Sequence, residues 1–460
     1  MTQQMDENVL SRQLFTIGKD AQVKIMNTRV LVSSLNGLGA EIAKNIILMS
    51  VKSVGLLDNH EAVVADMGTN FFLKKEHMGK PIAESTVASF QELNTTLKVF
   101  VEKRELTDET LYNDYDVIID CKLHTKTEAI AIDEMCRKHG VKYVYALNRG
   151  VFSMIFNDFG DNFTVYDTNG EAPKTFVVSG MMDDTFQLIE DNFCDLQEGD
   201  MIKFEEVVGL ECLNFSKNGG KTFKIAKRTG SSITIEDFAK ITEGHNYVKG
   251  GIITEVKQPV QLQMKPLKER FENPGEITFT NTMKFDRLYP IHGLFHALMI
   301  YFERYGTTPC THFEEDYVKF KAIVDELKVE CDEKLVKMFC YANNGFFSPL
   351  DTTIGGIAAQ EVLKAASGKY TPYNQYMMYD CTEVLPDNYL EMPQEEFIDS
   401  GRYAGQICLI GKTLQKKIAD SSMFLIGSGA IGCEVLKTWA MMGVATGEGM
   451  IHVTDNDNIE

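Results

Sequence analysis

The chain has 460 residues, which at about 150 residues per domain makes roughly three domains and excludes a single small binding module. Hydrophobic residues make up 44% and charged residues 24%, the ordinary balance of a globular protein with sizeable cores. With 46 Lys and Arg against 66 Asp and Glu, the net charge of −20 repels phosphate backbones, which argues against nucleic acid as the main partner and for a neutral or basic one.

In chain order, the first unit opens with a β-rich run at residues 28–34, Thr-Arg-Val-Leu-Val-Ser-Ser. Asn36-Gly37-Leu38-Gly39 leads into a helical stretch, 40–49, with Ile42, Ile46 and Ile47 at helical spacing. A second strand, 53–58, ends in Asp58. Strand, tight turn, helix, strand and acid open a doubly wound α/β domain. Further strands are expected at 116–120 and 142–145, with a helix between them over 127–139. From about 163 to 257 the pattern changes to short β-type runs with turn signals at Asn169-Gly170, Asn218-Gly219-Gly220 and Gly250-Gly251. That spacing predicts a small β-barrel inserted into the first domain. Residues 259–344 return to helical periodicity. Their apolar faces are Ile291, Leu294, Leu298 and Met299; Phe320, Ile323 and Leu327; and Leu335 with Phe339. This predicts a helical bundle. A helix is expected over 357–366, stopped by Gly368.

The last 65 residues restart the opening pattern. Residues 16–45 align without gaps on 409–438, and nine of the 30 positions are identical: Ile17, Gly18, Lys19, Gln22, Lys24, Ile25, Gly39, Glu41 and Lys44 recur 393 residues on. This is an internal repeat of a domain type. The second copy runs from a strand at 423–426 through a glycine turn and helix to a strand at 450–454 and Asp455. A doubly wound sheet needs more strands than that, so the second domain is expected to be incomplete.

The two glycine turns differ. Gly427-Ser428-Gly429-Ala430-Ile431-Gly432 is a full G-x-G-x-x-G between strand and helix. Its glycines permit the tight turn, the approach of a phosphate and close helix–strand packing, and the helix N-terminus presents free N–H groups. Asp455, at the end of the next strand, stands where a carboxylate meets ribose hydroxyls. The alternative is a merely structural turn. The first copy reads Ser34-Leu35-Asn36-Gly37-Leu38-Gly39. Only its last glycine survives, so it is expected to keep the fold and to have lost the nucleotide. One competent and one degenerate copy in tandem suggest a pseudo-dimer with a single active site.

Ten cysteines, none in a CxxC pair, exclude zinc ribbons and thioredoxin-like motifs and read as free thiols in a reducing compartment. Residues 1–8 are polar and acidic rather than a signal sequence, and no run of ~18 apolar residues exists to span a membrane. A soluble intracellular protein is expected. Cys433, one residue past the glycine turn, reads as a buried helix-packing thiol rather than a nucleophile. His292 and His296 stand at i and i+4, but the next acid, Glu303, is about two turns away, so bundle-core or surface positions are favoured over a metal site.

This combination resembles the single-chain ubiquitin-activating enzymes, the E1 family, along essentially the whole chain. The resemblance is carried by Ser11-Arg12-Gln13-Leu14, by Lys284-Phe285-Asp286-Arg287, by the A-A-Q-E-V-L-K-x-x-S-G-K segment ending at Lys369, and by residues 427–434 with Val453-Thr454-Asp455-Asn456-Asp457. It implies ThiF-like, Rossmann-like adenylation domains: an inactive one over 1–162 and 346–395 and the start of an active one over 396–460. It further implies a first catalytic-cysteine half-domain, barrel-like, over 163–255, and a four-helix bundle over 256–345. The implied activity is that of a ligase. ATP binds the active copy with Mg²⁺, the C-terminal glycine of ubiquitin is adenylated, a cysteine takes the acyl group as a thioester, and an E2 conjugating enzyme receives it. A cytoplasmic and nuclear location is implied as well.

In the family the arginine of S-R-Q-L, here Arg12, reaches the ATP phosphates of the other copy; on composition alone it is a solvated surface arginine. Ala430 lies against the nucleotide with Gly427, Ser428, Gly429 and Gly432, Asp455 holds the ribose, and Asp457 lies near the metal, a turn-capping role being equally open to it. Two departures stand out. The family's S-R-Y-D is Gly401-Arg402-Tyr403-Ala404 here, with no acid at 404. The family's catalytic cysteine, its remaining nucleotide and metal ligands and its E2-recruiting domain correspond to positions after Glu460, so this chain alone is expected to be inactive. Three other readings stay open: a regulatory subunit of a heterodimeric activating enzyme such as that for SUMO, an E1 for another ubiquitin-like modifier, and an NAD-dependent oxidoreductase. The second glycine turn argues against the first of these, and the degenerate copy has no role in the last.

Overall fold

The five strands β1 (Arg29–Ser33), β2 (Ser53–Leu57), β3 (Lys98–Val101), β4 (Val117–Asp120) and β5 (Lys142–Arg149) pair in parallel in the order β5-β4-β1-β2-β3. β1, β2 and β4 are buried almost throughout, as strands covered on both faces must be, which is why they read as apolar runs. β6 (Phe152–Asp158) folds back antiparallel on β5, and a late strand, Tyr376–Asp380, adds antiparallel to β6. The result is a seven-stranded, doubly wound α/β sheet, the expected fold class, with two antiparallel strands added at one side that the periodicity did not announce.

The computed structural model describes residues 5–189, 196–278 and 281–457; Cys194, the end of the 396–460 segment and the first residues of the polar N-terminus lie outside them. The described residues form two compact units. One comprises those within Met1–Phe163, Leu262–Gly368 and Pro372–Glu460, and the other those within Thr164–Gln261 with Lys369–Thr371.

In the second unit the strands Met201–Glu205, Phe223–Thr229, Ser232–Ile235, Thr185–Leu188, Thr175–Met182 and Ile252–Glu255 close, in that order, into an antiparallel barrel. Alternate residues point inward, and the rings of Phe186 and Phe204, 4.8 Å apart, fill its centre with Ile225, Ile233 and Ile253. The six-stranded closed form leaves no open sheet edge.

In the first unit the helices Leu288–Tyr305, Glu314–Glu326 and Glu333–Ala342, with the short Leu267–Glu272, form the expected bundle. Its apolar faces are those anticipated, although Leu327 is only half-buried. The bundle shares one core with the sheet: Phe339 meets Phe152 of β6 at 5.0 Å, Phe295 at 5.2 Å and Phe320 at 5.9 Å. His292 and His296 are part of this packing, against Tyr376 and Phe271 at 4.7 Å each. Burial pushes their pKa values down to about 4 and about 3. They are neutral core residues, as favoured from their spacing.

The helix expected over 357–366 begins nine residues earlier, spanning Ser348–Ser367. Gly355 and Gly356 masked its start, yet Gly355 is a packing residue: an added Cβ there would stand 2.8 Å from Cβ of Glu41. The helix therefore seats closely along the helix Gly37–Leu48. Among the described residues no helix is long and apolar enough to cross a membrane.

The second copy contributes the parallel strand pair Met423–Ile426 and Ile451–Thr454 and, between them, the helix Ala430–Met442. Repeat identity reappears as geometry. Gly18 and Gly411 kink their helices with φ near +80° (83° and 80°). The Gln13 and Gln22 amides donate to the Met49 carbonyl at 3.2 and 3.3 Å, and those of Gln406 and Gln415 donate to the Met442 carbonyl at 3.0 Å each. Between the copies, four charges interlock. Lys44 bridges Glu41 at 2.8 Å and Glu434 at 2.9 Å; Lys437 bridges Glu434 at 2.7 Å and also Glu41. Each copy supplies the same Glu and Lys, the signature of an isologous, two-fold contact. Glu41 is buried, and the two carboxylates raise the Lys44 pKa against the lowering effect of its burial.

Lys437→Met leaves two carboxylates facing one ammonium and should destabilise the chain by about 3 kcal/mol, the low end for breaking a buried ion pair. Adding Glu434→Leu, which restores the balance around Lys44 and Glu41, should recover more than half of that in denaturant unfolding.

Candidate nucleotide site

The second glycine turn follows directly on the strand Met423–Ile426. Gly427 takes φ +93°, a conformation that a side chain would strain, and nothing stands within 4 Å of where a Cβ of Gly427 or Gly429 would be. Gly432 is the opposite case, since a Cβ there would overlap the Gly427 carbonyl oxygen. Two glycines thus leave open space above the turn, and the third allows the helix to close on the strand. Asp455 ties the turn to the neighbouring strand: Ser428 N donates to its Oδ2 at 2.6 Å, the Ser428 hydroxyl to the same oxygen at 3.1 Å, and Asp457 N to Oδ1 at 2.9 Å. The amides of Asp457 and Ser428, then the Ser428 hydroxyl, hold the Asp455 carboxyl below the usual carboxylate range. No side chain caps the helix Ala430–Met442, so its first N–H groups and positive dipole end stay free for an anion.

The first copy builds the same backbone with different chemistry. Ser34, equivalent to Gly427, takes φ +69° despite its side chain, and a Cβ on Gly39 would overlap the Ser34 carbonyl. Asp58 repeats the role of Asp455, with Leu35 N donating to Oδ2 at 2.6 Å and His60 N to Oδ1 at 2.9 Å. At the helix start the copies part. Asn36 Oδ1 accepts the Gly39 N–H at 3.0 Å, and its Nδ2 donates to the Cys121 carbonyl at 2.8 Å. An asparagine N-cap takes up the donor that a phosphate would need. The Asn36-x-x-Gly39 spacing is a legible capping signal, which the comparison of glycines alone passed over.

The structure brings Gly427, Ser428, Gly429, Ala430, Gly432, Asp455 and Asp457 together at one exposed turn. Asp457 enters as a backbone donor; the carboxylate that caps the turn is that of Asp455. Among the described residues no group of three or more His, Cys, Asp and Glu side chains is gathered for a metal ion. The pair Asp455 and Asp457 still fits a Mg²⁺ held by one or two carboxylates together with substrate phosphates. Arg12 stands apart on the first copy's helix Ser11–Ile17. It is exposed, and its guanidinium has no hydrogen bond or ion pair among the described residues. Cys433 corrects an expectation. It is exposed rather than buried, because no described element covers that side of its helix, and its thiol donates to the Ser428 carbonyl at 3.2 Å.

Comparison with known proteins matches the ThiF family to residues 10–395 and 403–460. The chain belongs to the ThiF family. Over 99% of its length it is 36% identical to ubiquitin-like modifier-activating enzyme 1 of Dictyostelium discoideum. It is 38% identical over its whole length to ubiquitin-activating enzyme E1 1 of Candida albicans, and 34% identical over 99% to the human ubiquitin-like modifier-activating enzyme 1. These alignments cover 45%, 45% and 44% of the relatives, so the chain spans less than half the length of the curated relatives it matches. Among solved structures, Escherichia coli MccB is similar over 33% of this chain and 45% of its own, at 15% identity and a TM-score of 0.30.

Because Gly432 faces a backbone oxygen and Gly429 faces open space, their alanine variants should diverge. Gly432→Ala should destabilise the turn by about 3 kcal/mol, the upper range for overpacking, and speed amide exchange in the helix Ala430–Met442. Gly429→Ala should leave exchange within about twofold of the parent chain.

Proposed function

We propose that this chain is the N-terminal portion of an enzyme that activates ubiquitin, with the second copy as its ATP-binding half. The carrying observation is the contrast between two superposable turns, one sealed by Asn36 and the other uncapped over Gly427–Gly432. The relatives named as ubiquitin-activating enzymes support the choice of substrate. A hydride-transfer enzyme or a subunit with a single such fold has no use for a degenerate copy beside an intact one.

In this reading the free N–H groups of the second helix receive the triphosphate, and Asp455, already oriented by Ser428 and Asp457, accepts hydrogen bonds from the ribose. Asp457 holds Mg²⁺, which when bound supplies positive charge to the phosphates. An oxygen of ubiquitin's C-terminal carboxylate attacks the α-phosphorus, the α–β anhydride bond breaks, and pyrophosphate leaves with the electron pair. Charge develops on the departing phosphates, and a planar guanidinium is the group best shaped to meet it. Arg12 has that guanidinium free, on the copy whose own phosphate place is filled. The thioester cysteine and the E2-recruiting surface belong to the longer protein, which acts in the cytoplasm and nucleus. In this assignment 1–162 and 346–395 are the inactive half, 163–255 a half-domain beside the thioester cysteine, 256–345 the bundle and 396–460 the start of the active half.

The test uses this chain extended through the rest of its second copy. Arg12→Ala should slow ubiquitin-dependent ATP–pyrophosphate exchange by roughly 10²-fold, the effect of losing one preorganised charge donor. Arg12→Lys should restore only part, since charge returns without the paired donors. A change under about threefold at unchanged melting temperature would overturn the cross-copy role. The 460-residue chain alone should form no DTT-sensitive ubiquitin adduct.

A further inference from the structure

A cavity in the first copy plays no part in the proposed reaction. It has a volume of about 860 Å³ and opens at the C-terminal ends of β1 and β2, where Ser33, Ser34, Leu57 and Asp58 line it. We propose that this cavity is a binding site for a neutral nucleoside, retained in the first copy after its phosphate cradle was sealed.

Three observations carry the proposal. The first is position. The chain runs from β1 out to β2 and β3, then crosses to β4 on the other side of β1. The cavity lies at that reversal, reaching Lys122 and His124 beyond β4, and a crevice outside the carboxyl ends of strands at such a switch point is where open α/β sheets hold ligands. The second is Asp58. Each of its oxygens accepts one backbone N–H, from Leu35 and His60, in the arrangement that Asp455 makes with Ser428 and Asp457. Each oxygen keeps a further lone pair, and the residue lines the cavity. A carboxylate held this way after the second strand is placed to accept from vicinal ribose hydroxyls. The third is the far wall. Ile82, Leu106, Ile132 and Met135 give it an apolar surface on which a base can lie, and the volume is that of a small-molecule site.

Phosphates are excluded by two independent features. Asn36, anchored through its other atom to the Cys121 carbonyl, already holds the Gly39 N–H of the helix start. The lining carries four carboxylates, Asp58, Asp66, Glu105 and Glu128, against the ammonium of Lys122 and the imidazoles of His60 and His124, a balance that disfavours a further anion. The ribose-and-base half of a nucleotide site therefore survives without its phosphate half.

Calorimetric titration of the chain carrying Gly429→Val, which blocks the second turn, tests this with adenosine, guanosine, cytidine and uridine, each against its 5′-triphosphate. At least one nucleoside should bind saturably below about 1 mM, and its triphosphate at least about tenfold more weakly. Met135→Trp, which fills the apolar wall, should abolish that binding while the melting temperature holds. Asp58→Asn should weaken it about tenfold; if this variant unfolds, Met135→Trp carries the test. Asn36→Gly, which frees the helix start, should bring the triphosphate to within about threefold of the nucleoside. Absence of saturable binding by all four nucleosides overturns the proposal. So does a triphosphate bound as tightly as its nucleoside while Asn36 is present, or binding that Met135→Trp leaves unchanged.

Discussion

Glu41 and Lys437 meet across the boundary between two copies of one fold, and Lys44 and Glu434 complete the square. Three of these four bridges are nearly withdrawn from water on at least one side, with Glu41 and Lys437 side chains only 7% and 10% exposed. A buried charge without a partner is costly, so each residue can change only if the others do. Two of the nine identities in the repeat are this Glu and this Lys. In an isologous contact the same residue must serve both sides, and the identity is what that requirement leaves behind. The square also links the two turns, because its residues sit on Gly37–Leu48 and on Ala430–Met442, the helices that begin at the two glycine turns. The long helix Ser348–Ser367 packs on both.

With the backbones held alike, chemistry alone distinguishes the two turns. The tight glycine is kept in both copies because a Cβ would overlap a carbonyl oxygen, at Gly39 as at Gly432. The acid of the next strand is kept in both because it ties the turn to the sheet, Asp58 as Asp455. These are structural needs and survive without a ligand. The open helix start is not a structural need. A helix end left without a partner is satisfied most cheaply by a local side chain, and Asn36 supplies one. The start at Gly429 is the informative member of the pair, since it is open to water and its donors stay available to an anion, whereas Asn36 holds their counterpart.

Much of this was legible in the sequence. Parallel strands buried on both faces announce themselves as apolar runs, and the repeat and its unequal turns can be aligned by eye. The barrel's turn signals and the bundle's apolar faces fall where the elements are. Other parts were hidden for physical reasons. The start of Ser348–Ser367 carries two adjacent glycines, which read as a break until Glu41 is seen filling the space that Gly355 leaves. Cys433 reads as core because a thiol at the start of a helix usually packs as a small apolar side chain, but no described element covers it. The bundle and sheet share a core through Phe152 and Phe339, residues far apart in the chain that no local pattern connects. The cavity beside Asp58 draws on five separate stretches of chain, and only the assembled sheet brings them to one edge.

The repeat reaches further than the aligned segment, and its outer part bears on how the two copies divide the groups of the proposed site. Gln13 and Gln406 make the same bond to equivalent carbonyls, which fixes the equivalence of the residue before each: Arg12 and Gly405. Gly405 is packed backbone to backbone, its carbonyl accepting from Phe346 N at 3.0 Å, and a Cβ there would press on Phe346 at 3.0 Å. A side chain at that position would press on Phe346 more tightly than ordinary packing. At these paired positions the exposed guanidinium stands on the first copy and the uncapped glycine-turn helix start on the second. Under a two-fold relation, such a division of groups between the copies is what the proposed single composite site requires, where a symmetric pair would have two.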